Sequence, residues 1–399
     1  MSDKKIMILG ASILQLPVIE KAVEMGLSVI ALDMNPDAVG FSVPGVAREV
    51  ISTIDIPAAV EAAKRHKIDG VMTLATDTPM RTVAAVAKEC GLIGIEMDTA
   101  VKATNKAEMR EALAAGGVPI PQFFCVTAWE DYEDVVKHFS EQCIVKPSDN
   151  SGSRGVYLIK DVSDVAQVEK AFKHSMKFSR SGKIVVEEYM VGPEVSVETI
   201  SVDGVCHVIQ ITDKLTTGAP YFVEMGHNQP SMLSEEIKDD IRRVAIAANK
   251  AIGITNGPSH TEIKVTSSGA KIVELGARLG GDCITSHLVP LSTGVNMIEL
   301  CIRIAMGEKP IIQPLLHKGS AIRYFNHEAG MIKQIIGIEE AEKMPGIQQI
   351  SVVHGKGQQV HAITSSSERI GFVIAQGEDP EDAITRCENA MDRISIVME

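Results

Sequence analysis

The chain has 399 residues, 45% of them hydrophobic and 4% aromatic, and a formal charge of -13 at pH 7. That length and apolar content suffice for two or three cores of ordinary domain size, while the negative balance argues against a nucleic-acid partner, which needs a basic surface. A single tryptophan, Trp129, argues against stacking platforms for bases or sugars as the main binding device.

The N-terminus runs directly into a strand pattern and lacks the apolar length of a signal peptide. No apolar run approaches the roughly 20 residues of a membrane helix, so no membrane partner is expected. The seven cysteines are odd in number and widely spread, with no Cys-x-x-Cys pair, as for reduced thiols in a cytoplasmic protein.

Residues 5–96 alternate apolar runs at 6–9, 29–32 and 70–74 with helical periodicity at 14–25, 57–65 and 79–90. This is the βαβ rhythm of a parallel, Rossmann-like sheet. The dinucleotide fingerprint fails, because Gly10-Ala-Ser12-Ile-Leu-Gln15 has one glycine where three are needed. Asp33, closing the second strand, suits a cap or turn as well as a ribose. From 99 to 307 the pattern becomes α+β, with helices at 106–115, 128–139 and 165–178, strands at 184–188, 195–201 and 205–212, and a long helix at 234–252. The remainder reads as a small α/β cap, with strands at 321–325, 331–335, 350–353 and 370–376 and a helix at 380–394. The expected architecture is multidomain, α/β and α+β, divided at 1–96, 97–309 and 310–399.

Several segments carry candidate chemistry. Lys106 opens a helix capped by Thr104 or Asn105; a bound anion there would turn both the lysine and the helix dipole to advantage. Lys146 ends an apolar strand and leads into Pro147-Ser-Asp-Asn-Ser151-Gly152-Ser153-Arg154-Gly155. Backbone N–H groups of such a loop approach phosphates closely, although the spacing is not that of a Walker loop and a plain hairpin turn is the alternative. Glu187-Glu188-Tyr189-Met190 forms an interrupted strand end before a Gly192-Pro193 turn. Glu194 beyond it could accept from paired hydroxyls, as on a ribose, or belong to a solvated acidic turn.

Residues 262–266 and 270–274 read as a hairpin about a Ser-Ser-Gly turn, with Ile263, Val265, Val273 and Leu275 on the apolar face. Glu262 then falls opposite Glu274, to within a residue. Like charges so placed destabilise the pair unless compensated, by a hard cation or by Lys264 or Lys271. Arg278 follows in a glycine-rich turn, where a guanidinium could clamp phosphate oxygens beside that cation.

In this order the motifs resemble the ATP-grasp superfamily over essentially the whole chain: a lysine at a helix start, a strand-Lys-Pro with a Ser/Gly loop, Val-Glu-Glu-Tyr-Met, Glu194, then Glu on one strand and Glu-x-x-x-Arg on the next. Residues 1–96 resemble its preceding Rossmann-like domain, 97–309 the ATP-grasp domain with a phosphate-lid subdomain at about 120–188, and 310–399 its C-terminal cap. The resemblance implies that Lys106 and Lys146 hold ATP phosphates under a lid formed by Ser151, Gly152, Ser153 and Gly155. It implies that Glu187, with the backbone of Glu188 and Met190 beside Tyr189, meets the adenine, and that Glu194 takes the ribose. Glu262 and Glu274 would ligate magnesium, with manganese as a substitute, and Arg278 would stabilise the transferring phosphoryl group. Gly276 departs from the pattern, since many members place an asparagine there as a further metal ligand.

Within the superfamily, His260-Thr-Glu-Ile-Lys264, Glu274-Leu-Gly-Ala-Arg-Leu-Gly-Gly281 and Pro220-Tyr-Phe-Val-Glu-Met-Gly-His227-Asn-Gln-Pro230 are most similar to the bacilysin-type L-amino-acid ligases, in which the His227 position faces the substrate. The implied activity joins a small-molecule carboxylate to an amine through an acyl phosphate, with ADP as product and His227 as a candidate acceptor of the amine's proton. Homodimers are common in related families. The alternatives are a carbamoyl-phosphate synthetase-like or glycinamide ribonucleotide synthetase-like enzyme, a non-catalytic ATP-binding protein and, third, a Rossmann oxidoreductase.

Overall fold

The computed structural model describes residues 4–150, 152 and 154–399. Its N-terminal part is a parallel sheet in the order Ala47–Val50, Ser28–Asp33, Lys5–Leu9, Gly70–Met72. Strands covered on both faces read as continuous apolar runs, and Ile6, Met7, Ile8 and Leu9 are all fully buried. Alternation sends Met7 and Leu9 against Ala59, Ala62 and Val86 on helices Ile56–His66 and Met80–Cys90. Ile6 and Ile8 pack on the other face, where helix Leu16–Glu24 is joined by Met297, Ile298 and Ile302 of helix Met297–Ala305. The sheet therefore shares a core with the body of the protein. Asp33 serves as a turn residue, accepting from the N–H groups of Ala11 (2.8 Å) and Asn35 (2.9 Å).

A second, antiparallel sheet runs Phe123–Val126, Ile184–Glu188, Cys143–Pro147, Tyr157–Ile159. Helices Trp129–Val136 and Val165–Phe178 cover it through Tyr132, Val136, Val168 and Ala171, which pack on Val145, Ile159 and Val186. The largest sheet has eight antiparallel strands, in the order Gly269–Gly276, Gly257–Thr266, Glu194–Val202, Val205–Thr216, Glu224–Gln229, Gly319–Tyr324, Gly371–Gly377, Ile347–Val352. Its last three strands come from the C-terminal segment and extend the ladder begun by the acidic hairpin. Helix Glu235–Ile252 covers one end through Ile241, Val244, Ala248 and Ile252, and helix Pro380–Met391 covers the other through Ala383, Cys387 and Ala390. No single helix among the described residues is long and apolar enough to cross a membrane.

Helices Met97–Thr104 and Met297–Ala305 and strands Phe123–Val126 and Glu224–Gln229 were not announced by the sequence pattern. The last of these has a physical explanation. Its buried side chains are polar, and the last two are satisfied sideways: Asn228 donates to Asp213 (2.9 Å), while Gln229 donates to Thr212 (2.8 Å) and accepts from Ser292 (3.0 Å). No apolar alternation marks such a strand.

Candidate active site

The lid sheet, the large sheet and the loop of residues 75–78 enclose a cavity of about 510 Å³. One wall is the acidic hairpin. Its turn is only two residues long, because Thr266 pairs with Gly269, and a regular ladder from that turn would set Val273 opposite Glu262. Instead a bulge between Glu262 and Ile263 pairs Ile263 with Ile272 and Glu262 with Glu274. An extra residue of this kind re-aims the side chains beyond it. The expected apolar face is corrected accordingly: Ile272 is in the core, whereas Val273 lines the cavity with Glu274.

Each opposed carboxylate has a lysine. Lys106 Nζ lies 2.7 Å from Glu274 and also donates to the Asn150 carbonyl at 2.7 Å. Asn105, rather than Thr104, caps the Lys106 helix. Lys214 Nζ touches Glu194 (2.7 Å), Glu262 (3.0 Å) and Glu224 (3.5 Å). Burial opposes its charge, but the surrounding carboxylates hold the ammonium well above its ordinary range. Glu262 is correspondingly held well below the carboxylate range: Lys214 and His260 outweigh the cost of burial. His260 sits 3.7 Å from Glu262 and donates or accepts at 2.5 Å with the fully buried Glu198. Burial disfavours its imidazolium, yet Glu198 raises it to about 9.

On the facing wall, Lys146 and Arg110 converge on Glu187. Lys146 Nζ is 2.6 Å from Oε2, and Arg110 reaches Oε1 at 2.7 Å and Oε2 at 3.2 Å. Burial would raise this carboxyl, but the two cations bring it down to about 2. Arg110 also donates to the bulged Val273 carbonyl at 2.7 Å, tying helix, lid sheet and hairpin together. Glu187, expected beside the adenine, lines the cavity with both carboxylate oxygens held by these cations. Glu188 is similarly occupied: its carboxylate meets Lys271 (3.0 Å) and its N–H donates to Gln122 (2.9 Å). Tyr189 and Met190 line the cavity, as do Gly152 and Glu194. Ser151 and Ser153 lie outside the described residues. Gly155 lines the neighbouring cleft instead, packed so closely that a Cβ would lie 2.6 Å from Phe178.

At the far end, Arg278 forms a forked pair with Asp77, with Nε 3.0 Å from Oδ1 and Nη2 3.3 Å from Oδ2. His227, on strand Glu224–Gln229, is 1% exposed and neither ring nitrogen has a hydrogen-bond partner. Its Nε2 lies 3.6 Å from Asp282. Arg369 grips that carboxylate at 2.7 and 2.8 Å while lying 3.8 Å over the Tyr324 ring. Burial raises Asp282, but Arg369 and His227 carry it well below the carboxylate range.

The cavity thus collects Lys106, Lys146, Glu194, His227, Glu262, Glu274 and Arg278 from separate segments. Sequence reasoning missed Asp77, Arg110, Lys214, Asp282 and Arg369. Only Asp77 carried a usable signal, following a strand of a parallel sheet near its carboxyl end, where such sheets meet ligands.

Residues 139–286 match the family model described as an ATP-grasp domain, and residues 323–399 match L-amino acid ligase C-terminal domain 2. The chain carries an ATP-grasp domain. With its C-terminal match it falls among the ATP-grasp ligases. An L-arginine-specific L-amino acid ligase of Bacillus subtilis is 27% identical over 69% of this chain and 68% of its own length. A formate-dependent phosphoribosylglycinamide formyltransferase of Saccharolobus solfataricus is 26% identical over 99% of this chain and 97% of its own. In fold, the ATP-grasp chain superposes on an L-amino acid ligase from Bacillus licheniformis with a TM-score of 0.85 and 24% identity over the whole of both chains.

Proposed function

We propose that this ATP-grasp chain joins an amino acid to an amine, using ATP to form an acyl phosphate. The observation that carries the reading is the meeting, in one cavity, of two opposed carboxylates with Lys106, Lys146 and Arg278. The C-terminal match to L-amino acid ligases supports the amino-acid substrate. Lys106 and Lys146 hold the ATP phosphates, with Glu187 positioning Lys146, and Glu194 takes the ribose. Gly152 borders the phosphates and the Tyr189–Met190 strand end borders the base.

Glu262 and Glu274 suit a hard divalent cation, being oxygen donors whose charges lysines now offset. Among the described residues no group of three or more His, Cys, Asp or Glu is placed to hold a metal, so phosphate oxygens and water would complete the shell without a ligand from Gly276. Magnesium at this position would supply electrostatic stabilisation of the phosphates during transfer. A carboxylate oxygen of the substrate attacks the γ-phosphorus, the bond to the bridging oxygen breaks, and ADP leaves. Arg278 stabilises charge on the transferred group and then on the tetrahedral adduct formed when the amine attacks the acyl carbon. Phosphate leaves, and His227 accepts the amine's proton. We retain 1–96, 97–309 and 310–399 as the functional divisions and the cytoplasm as the compartment.

A screen of ADP release over pairs of L-amino acids, with product mass, tests the reading. Dipeptide with stoichiometric ADP is expected. Lys146→Ala or Glu274→Ala should lower turnover by at least about 100-fold in a folded protein. The near full-length match to the formyltransferase keeps a second reading in the same screen: activity only with formate and phosphoribosylglycinamide would establish it. Absence of ADP with every substrate, bicarbonate included, would favour ATP binding without chemistry.

A further inference from the structure

Gly276 occupies the position where an asparagine would be expected, and its surroundings indicate what takes that space. A Cβ at 276 would lie 2.7 Å from Asp77 Oδ1 and 3.2 Å from Arg278 Nε. Glycine here gives room for the Asp77–Arg278 pair. Asp77 arrives on the loop following the parallel strand Gly70–Met72, with Ala75 held at φ 57° two residues before it. Both partners line the cavity and keep partial access to it, at 19% exposure for Asp77 and 17% for Arg278.

An anion binding at Arg278 must compete with Asp77 for the guanidinium. Taking one partner from a largely buried pair leaves the other uncompensated, which is strongly unfavourable. A substrate that carries its own cation avoids this. We propose that Asp77 recognises the ammonium group of the amino acid whose carboxylate is activated, exchanging Arg278 for that ammonium as the substrate's anionic end engages Arg278. The inference rests on the ligase reading above and adds a specificity-determining residue from the N-terminal sheet. A zwitterion replaces both partners at once, whereas a simple carboxylate leaves Asp77 without a cation. The site therefore selects α-amino acids over their des-amino analogues.

Hydroxylamine, which traps acyl phosphates as hydroxamates, removes the need to know the second substrate. The test compares kcat/KM for hydroxamate formation with the best of the common amino acids and with the des-amino acid of the same carbon skeleton. The natural chain should favour the amino acid by at least about 100-fold. Asp77→Asn and Asp77→Ala should bring the two within about tenfold, with the KM for ATP changed less than about threefold. Gly276→Ala, whose methyl displaces Asp77, should give an intermediate ratio. A merely structural Asp77 would slow both substrates together; an unchanged ratio in both Asp77 variants overturns the proposal. If the natural chain accepts both substrates equally, the recognition role fails while the ligase reading stands. If no amino acid yields hydroxamate, both fail.

Discussion

At Glu187 two cations outweigh the cost of burial, and that balance makes a pH prediction. Its carboxyl, normally near 4.5, lies at about 2 in the folded chain, so its contribution is complete above 4.5 and is lost as pH falls through 2. The shift corresponds to roughly 3 kcal/mol. Lys146 works against part of this: burial outweighs Glu187 there and lowers the ammonium's affinity for its proton. The pair's net contribution is therefore smaller than the Glu187 figure alone. Glu187→Gln should cost about 3–5 kcal/mol, because Arg110 and Lys146 remain buried without their carboxylate. Urea unfolding between pH 5 and pH 2 checks both statements; the variant should lack this component of the acid slope, and an identical slope would remove the assignment. The opposed glutamates behave differently on metal removal. Lys106 and Lys214 already offset their charges, so chelation should abolish ADP formation while shifting the melting temperature by less than about 1 °C, which is under about 1 kcal/mol for a chain of this size. A large fall in melting temperature on chelation would contradict that role for the lysines.

Among the elements, the hairpin and the strand Glu224–Gln229 mark the limits of what pattern can reveal. The period-two alternation made the hairpin and its two glutamates legible, because half-buried strands write their faces into the sequence. The bulge was not legible: nothing in Ile272-Val273-Glu274 indicates which residue will be extra, and Arg110, which donates to the Val273 carbonyl, comes from a distant helix. Likewise Lys214 looks like any strand lysine until the folded sheet brings three carboxylates to it. Strand Glu224–Gln229 was opaque because its interior contacts are hydrogen bonds. Gln229→Leu should therefore destabilise the protein by about 1–3 kcal/mol despite adding apolar surface, since Thr212 and Ser292 lose buried partners. Thermal unfolding would show it; an unchanged or higher melting temperature would mean that those hydroxyls find other partners. His227, carried two residues earlier, should make turnover more sensitive than stability to this change.

Across the whole molecule, the N-terminal sheet is an incomplete unit. Ile6, Ile8, Val29 and Ala31 lie in one cluster with Met297, Ile298 and Ile302, so residues 1–96 alone would leave the face covered by the later helix open to water. The βαβ rhythm made the sheet legible but not this partner, because the core-facing residues of helix Met297–Ala305 carry no mark of which sheet they cover. The shared core also explains how Asp77 reaches Arg278 with a fixed geometry: its loop follows a strand seated on that core. Met297 is fully buried, and Met297→Ala should cost about 2–5 kcal/mol as a large-to-small change. The expected signature is a single cooperative unfolding transition shifted as a whole, with no separate N-terminal melt. Residues 1–96 expressed alone should show no cooperative thermal transition by circular dichroism. A sharp transition in that fragment, or a biphasic melt in Met297→Ala, would show that the sheet folds as an autonomous domain and that its contact with the ATP-grasp body is a docking surface.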